Sequence, residues 1–159
     1  MTTSISIKVQ TDDFDVAQEY AALREDNTQD GAIVFFAGLV RDMNQGKNVT
    51  GLFLEHYPGM TEKALANIVD QACERWPLSR VRVIHRVGQL HISDQIVFVA
   101  VSSCHREAAF DACHFIMDFL KNQAPFWKKE TTQQGDHWVK ALAKDEASLK
   151  KWNAPHDRK

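Results

Sequence analysis

The chain has 159 residues, 44% of them apolar, with 19 Lys and Arg against 21 Asp and Glu, for a net charge of −2. A chain of that length buries roughly 70% of its unfolded surface in one domain, and the near-neutral balance argues against a general nucleic-acid or membrane-surface binder. Three cysteines without CxxC spacing fit a reducing compartment; with no signal-like h-region and no apolar run of about 18 residues, the expected location is cytoplasmic.

Ser4 to Val9 alternates Ile5, Ile7 and Val9 with polar residues, the period of a half-buried strand. Asp12 to Glu25 reads as a short acidic helix with Phe14, Ala17, Tyr20, Ala21 and Leu23 inward, ended by a loop to Asp30. Gly31 to Val40 is almost continuously apolar, as expected of a strand covered on both faces, with a bulge or close approach at Gly38. Arg41 to Asn48 is a polar loop. Val49 to Tyr57 is the next strand, and a packing helix follows from about Thr61 to Trp76, stopped by Pro77. Val81 to Val87 and Gln95 to Val101 are strands separated by a turn through Gly88 to Asp94.

The stretch Ser102 to Glu130 organises the rest. Ser103 is positioned to cap a helix running to about Lys121. Ala109, Cys113, Phe115, Ile116, Met117, Phe119 and Leu120 make most of its surface apolar, leaving Asp111, His114, Asp118 and Lys121 as a polar strip. Beyond Pro125, Phe126 to Thr132 and His137 to Ala141 form two short strands, or a strand and a helical turn. The expected architecture is an α+β domain over residues 1–143, with a mainly antiparallel sheet and packed helices. A charged tail follows over 144–159, its end left disordered unless a partner holds it.

Basic residues bracket the organising helix. His105 and Arg106 stand in its first turn, where the helix dipole disfavours cations, and a bound phosphate or carboxylate would remove that conflict. Lys121 closes the helix, either as an i+3 partner of Asp118 or, if partly buried, as a base or nucleophile. An extended Phe126 to Thr132 puts Lys128 and Glu130 on one side and Lys129 on the other. Arg41 directly follows a strand, a rigid mount for a binding residue. Cys104 beside His105 reads as a thiolate nucleophile or as a small core residue. His85, His91, His114 and His137 lack metal-site spacing, so neither metal nor cofactor is expected.

The runs GAIVFFAGLVR (31–41), LEHYPGMTEKAL (54–65), VIHRVGQL (83–90), SSCHREAAFDACHFIMDFLK (102–121) and APFWKKE (124–130) resemble the large, catalytic subunit of molybdopterin synthase in order and spacing. The resemblance covers about Gly31 to Val139. It implies an alpha/beta-hammerhead-like fold and an enzyme that puts two sulfurs into cyclic pyranopterin monophosphate to make molybdopterin. The sulfur would arrive as a thiocarboxylate on the C-terminal Gly-Gly tail of a small ubiquitin-like partner, with two large subunits forming a central homodimer in a heterotetramer. The family's catalytic lysines fall on Lys121 and Lys128. Its substrate contacts fall on Leu39, Val40, Arg41, His105, Arg106, Lys121, Lys128, Lys129 and Glu130. Leu39 stands where some members have lysine and Leu142 where some have arginine, so the pocket would lack one or two cations. The competing readings are a non-enzymatic module binding a phosphate ligand or acidic tail, and a Cys104-dependent sulfurtransferase.

Overall fold

The computed structural model describes residues 3–44, 47–132, 135–138 and 149–153. In chain order the elements are β1 (Ser4–Gln10), α1 (Val16–Arg24), β2 (Ala32–Leu39), β3 (Met43–Asn44), β4 (Lys47–His56), α2 (Met60–Arg75), β5 (Leu78–Arg86), β6 (Gly88–His91), β7 (Gln95–Ser103), α3 (Arg106–Gln123), β8 (Phe126–Thr132), β9 (Gly135–Trp138) and a 3-10 turn at Lys150–Trp152.

These make an α+β fold with two sheets. The first has the order β1-β5-β7-β2, with β1 parallel to β5 and the other pairs antiparallel. Strand alternation sends Val81 and Val83 of β5, Val97, Val99 and Val101 of β7, and Ala32 and Val34 of β2 to one face, where α2 and α3 close the main core. The other face carries Ile84, Phe98 and Ala100 against Leu23 of α1 and Phe14 just before it. The second sheet runs β3-β4-β8-β9, with β6 also paired to β4.

Several boundaries depart from the sequence reading for identifiable reasons. The first helix begins at Val16, not Asp12, because the Asp15 carboxylate accepts from the Ala17 and Gln18 N–H groups as its cap. Ser103 does not cap α3. It ends β7, buried, with its hydroxyl donating to the Pro77 carbonyl at 2.7 Å, and His105 holds the cap position without a side-chain bond. The turn through Gly88 to Asp94 contains β6, too short to show a period, and Met43–Asn44 pairs with Lys47 and Asn48 inside the expected loop.

Strand β2 is not covered on both faces. It is the sheet's outer strand, leaving Phe35 and Phe36 each 43% exposed and Leu39 56% exposed. The expected bulge is present, the register with β7 shifting between Gly38 and Leu39. A Cβ at Gly38 would lie 2.7 Å from Val97 Cγ1, so only glycine fits that approach without displacement.

Part of the charged tail is described, and it makes a contact that the sequence reading did not anticipate. Trp152 packs edge-on against Trp76 and Phe115, at ring centroid distances of 5.7 and 5.4 Å. Its Nε1 donates to Asp118 at 2.7 Å, and its carbonyl accepts from Arg75 at 2.8 Å. Residues 149–153 thus strap α2 to α3; 154–159 and Leu142 lie outside the described residues.

Candidate active site at the end of the third helix

Helix α3 returns along the sheet after β7. Cys113 Sγ lies 3.6 Å from the Val99 carbonyl at mid-strand, so the C-terminal turn of the helix reaches the edge where Leu39 pairs with Gln95 and His85 pairs with Val97. Lys121 stands there, exposed on the last turn rather than partly buried. Pro125 and the start of β8 then turn the chain into the second sheet. That turn is pinned twice: the Thr61 hydroxyl donates to the Pro125 carbonyl at 3.2 Å, and the Phe126 N–H donates to the Ala124 carbonyl at 2.9 Å.

In β8, Phe126, Lys128 and Glu130 lie opposite His56, Leu54 and Leu52 of β4. Directly paired residues share a face, and Leu52 and Leu54 are buried, so Lys128 and Glu130 look inward. Lys129 looks outward. Its Nζ lies 5.7 Å from the ring centroids of Phe53 and Trp138, on the other side of the sheet from Lys128.

Near the lysines is a residue that the sequence suggests only as a metal ligand. His85 continues the inward row Val81, Val83, His85 and is 5% exposed. Its ring stacks on Phe126 at 3.9 Å between centroids and 22° between planes. Its Nδ1 is 2.9 Å from the Arg86 carbonyl. Burial, with Lys128, Lys121 and His56 around it, lowers its pKa from 6.5 to about 3, so the ring is neutral. His56 and Phe126 complete this cluster and were likewise passed over. The available signal was strand parity, since a histidine in register with Val81 and Val83 has to point into the core.

The other predicted residues divide by position. Arg41, exposed, follows β2 at the same end of the first sheet as Lys121. Val40 is buried with Leu52 and Leu90, and its N–H and carbonyl bond Asp94 and Ser93, so its side chain belongs to the core. His105 and Arg106, both exposed, start α3 at the opposite end, beside Gly31. Sixteen residues of helix separate His105 from Lys121, about 24 Å at 1.5 Å per residue. One chain therefore does not bring His105 and Arg106 to the lysines.

A family model described as MoaE protein matches residues 9–123, which span α1 through α3. The chain belongs to the MoaE family, that of molybdopterin synthase catalytic subunits. It is 59% identical over 146 residues to the molybdopterin synthase catalytic subunit of Vibrio cholerae serotype O1, covering 92% of this chain and 97% of that one. Among solved structures it is similar to the molybdopterin biosynthesis MoaE protein of Burkholderia ambifaria MC40-6, with TM-score 0.81, 51% identity, and 95% and 99% of the two chains covered. A complex of subunits 1 and 2 of the molybdopterin-converting factor of Helicobacter pylori 26695 shares the fold at TM-score 0.67 and 19% identity, covering 86% of this chain and 90% of that one. The MoaE assignment places the chain in molybdenum cofactor biosynthesis as an enzyme, and the lysine cluster lies where the matched segment ends.

Proposed function

We propose that this MoaE chain transfers sulfur from the thiocarboxylated C-terminus of a small ubiquitin-like partner to cyclic pyranopterin monophosphate, building the molybdopterin dithiolene. The observation that supports this most directly is the convergence of Lys121 from α3 and Lys128 from β8 around the neutral His85. Lys121, exposed to an incoming tail, is the general acid/base. Lys128, inward and half-buried, stabilises negative charge developing on the thiocarboxylate carbonyl or the pterin. Arg41, at the same end of the first sheet, would hold the cyclic phosphate. The two-subunit complex to which the fold is similar is consistent with a small partner.

The working unit in this reading is a homodimer. His105 and Arg106, too far from Lys121 in their own chain, would serve the site of a second copy. The exposed edge of β2, with Phe35, Phe36 and Leu39 beside it, offers apolar surface for that contact. Cys104 sits with His105, away from the lysines, and has no part in this chemistry.

The test is single-turnover conversion of cyclic pyranopterin monophosphate by the purified chain with a thiocarboxylated small partner. Product from the parent and a loss of about a hundredfold or more in Lys121→Ala, the scale of a lost general acid/base, is the expected result. Turnover of Lys121→Ala within a few-fold of the parent would remove Lys121 from the chemistry. No product from a folded parent that binds the pterin would leave a receptor.

A further inference from the structure

Arg41 stands where the chain leaves the first sheet for the second, and both of its neighbours are fixed. Before it, Val40 is buried with Leu52 of β4, Leu90 of β6, Ile92 and Ile96 of β7, a small core drawn from both sheets. The backbone of Val40 is held as well: its N–H donates to the Asp94 carbonyl at 3.0 Å, and its carbonyl accepts from the Ser93 N–H at 2.9 Å. After it, the Asp42 carbonyl accepts from the Val49 N–H of β4 at 2.7 Å. Arg41 is exposed between these two anchors. The turn that holds Val40 is itself constrained. It joins β6, whose His91 pairs with Gly51 of β4, to β7, whose Gln95 pairs with Leu39 of β2. Ser93 has a φ of 71°, a left-handed conformation that a serine keeps only where its surroundings impose it. Asp94 closes the turn around it: its N–H donates to the His91 carbonyl at 3.0 Å, and its carboxylate accepts from the His91 N–H at 2.8 Å.

We propose that Asp94 is a positioning residue for Arg41: its carboxylate closes the turn that fixes Val40, and the fixed Val40 presents the Arg41 guanidinium to the cyclic phosphate of the substrate. This rests on the phosphate role given to Arg41 in the sulfur-transfer reading. A guanidinium grips a phosphate through paired N–H bonds whose geometry is exacting, and an arginine on a loose backbone gives up part of that affinity in ordering itself. Here the strain at Ser93 and the two bonds to Val40 have already ordered the main chain before any ligand arrives. The carboxylate is the part of this support that a substitution can remove without touching the backbone of either sheet.

The experiment is a calorimetric titration of the purified chain with cyclic pyranopterin monophosphate, for the parent, Asp94→Ala, Asp94→Asn, Arg41→Ala and the double variant of Arg41→Ala with Asp94→Ala. Arg41→Ala should weaken binding about tenfold or more, the scale of a lost charge-assisted hydrogen bond. Asp94→Ala should weaken it about fivefold, within the range of coupling between residues that act through one another. Asparagine keeps an acceptor oxygen and should restore the parent's affinity. In the double variant the Asp94→Ala loss should disappear, leaving the affinity of Arg41→Ala alone. Additive losses would overturn the proposal, because the turn would then affect binding by loosening the fold and not through Arg41; an asparagine variant no better than alanine would overturn it too. Parent affinity in Asp94→Ala beside a weakened Arg41→Ala would also overturn it, with the phosphate role of Arg41 left standing. Parent affinity in Arg41→Ala would remove that role and the proposal with it. Should Asp94→Ala not fold, amide exchange in the parent decides: protection of the Val40 and His91 N–H groups supports the fixed mount, and exchange as fast as that of an open loop is incompatible with it.

Discussion

At the scale of single residues, His85 makes folding stability depend on pH in a window that extends well above that of Asp13 and Asp30. Its folded-state pKa of about 3 lies below the unfolded 6.5. Between those values the unfolded chain takes up a proton that the folded chain refuses, so the contribution is fully present above about pH 6.5 and is lost as pH falls toward 3. Each unit of separation corresponds to about 1.4 kcal/mol, which makes the term several kcal/mol in full. Asp13 and Asp30 also have lowered pKa values. Hydrogen bonding from the Phe14 N–H leads for Asp13; for Asp30 burial is the largest single influence and raises the pKa, but hydrogen bonds from Ser79, Asn27 and Ser102 with the Arg80 charge together outweigh it. Their contributions are present above the ordinary carboxylate value near 3.8 and fade below it. Urea unfolding between pH 5 and 6.5 should therefore show a falling stability that His85→Phe flattens; an unchanged slope in that variant would show that the ring titrates normally.

The cysteines separate by the same physics. Burial pushes the Cys113 thiol up to about 12 and raises Cys73 to a lesser degree, whereas Cys104 is exposed. Because the thiolate is the reacting form, iodoacetamide at neutral pH should label Cys104 first and Cys113 only on unfolding, as mass spectrometry of timed samples would show. A folded Cys104→Ala chain should keep its turnover, and its inactivity would restore the thiolate reading.

At the scale of elements, the strap around Trp152 ties the two long helices together. Asp118 accepts from the Trp152 indole and pairs with Lys151 at 2.9 Å, with His114 at 3.5 Å on the same helix face. Trp152→Ala removes the edge-on contacts and one hydrogen bond to a carboxylate, which should cost about 2 to 4 kcal/mol in denaturant unfolding. A midpoint equal to the parent's would show that the strap does not hold α2 to α3. The strap was hidden in the sequence because its anchors, Arg75, Trp76, Phe115 and Asp118, lie about 35 to 75 positions away, and a charged tail gives no periodic signal. The helices and the longer strands were legible because each buries one face and repeats at its own period. Strand β2 misled because a continuous apolar run marks two buried faces without saying whether the second is covered by the same chain or by another. At the candidate site, the split of Lys129 from Lys128 followed from strand parity, while the choice of Lys121 and Lys128 came from the family resemblance and the depth of His85 depended on pairing between strands that no local pattern reveals.

At the scale of the whole molecule, the separation of His105 and Arg106 from the lysines becomes a test of assembly. If two copies share each site, a chain carrying Lys121→Ala and one carrying His105→Ala with Arg106→Ala are each inactive alone. Unfolded together and refolded, they should recover about a quarter of the parent's turnover, since half of the dimers would be mixed and each mixed dimer would hold one intact site. No recovery, from mixtures shown by native mass spectrometry to contain mixed dimers, would mean that each chain's site is its own.

The parallel pairing of β1 with β5 bears on how the molecule comes into being. Ser4 meets Arg80 and Gln10 meets Arg86, so the first strand made waits for a partner some 76 residues further along. Its neighbour on the far side of β5, by contrast, arrives within about 20 residues, as β7 folds back antiparallel. Closing the larger loop costs more chain entropy than closing the smaller. Loop closure therefore favours assembly of the β5, β7 and α3 layer before β1 docks on the β5 edge.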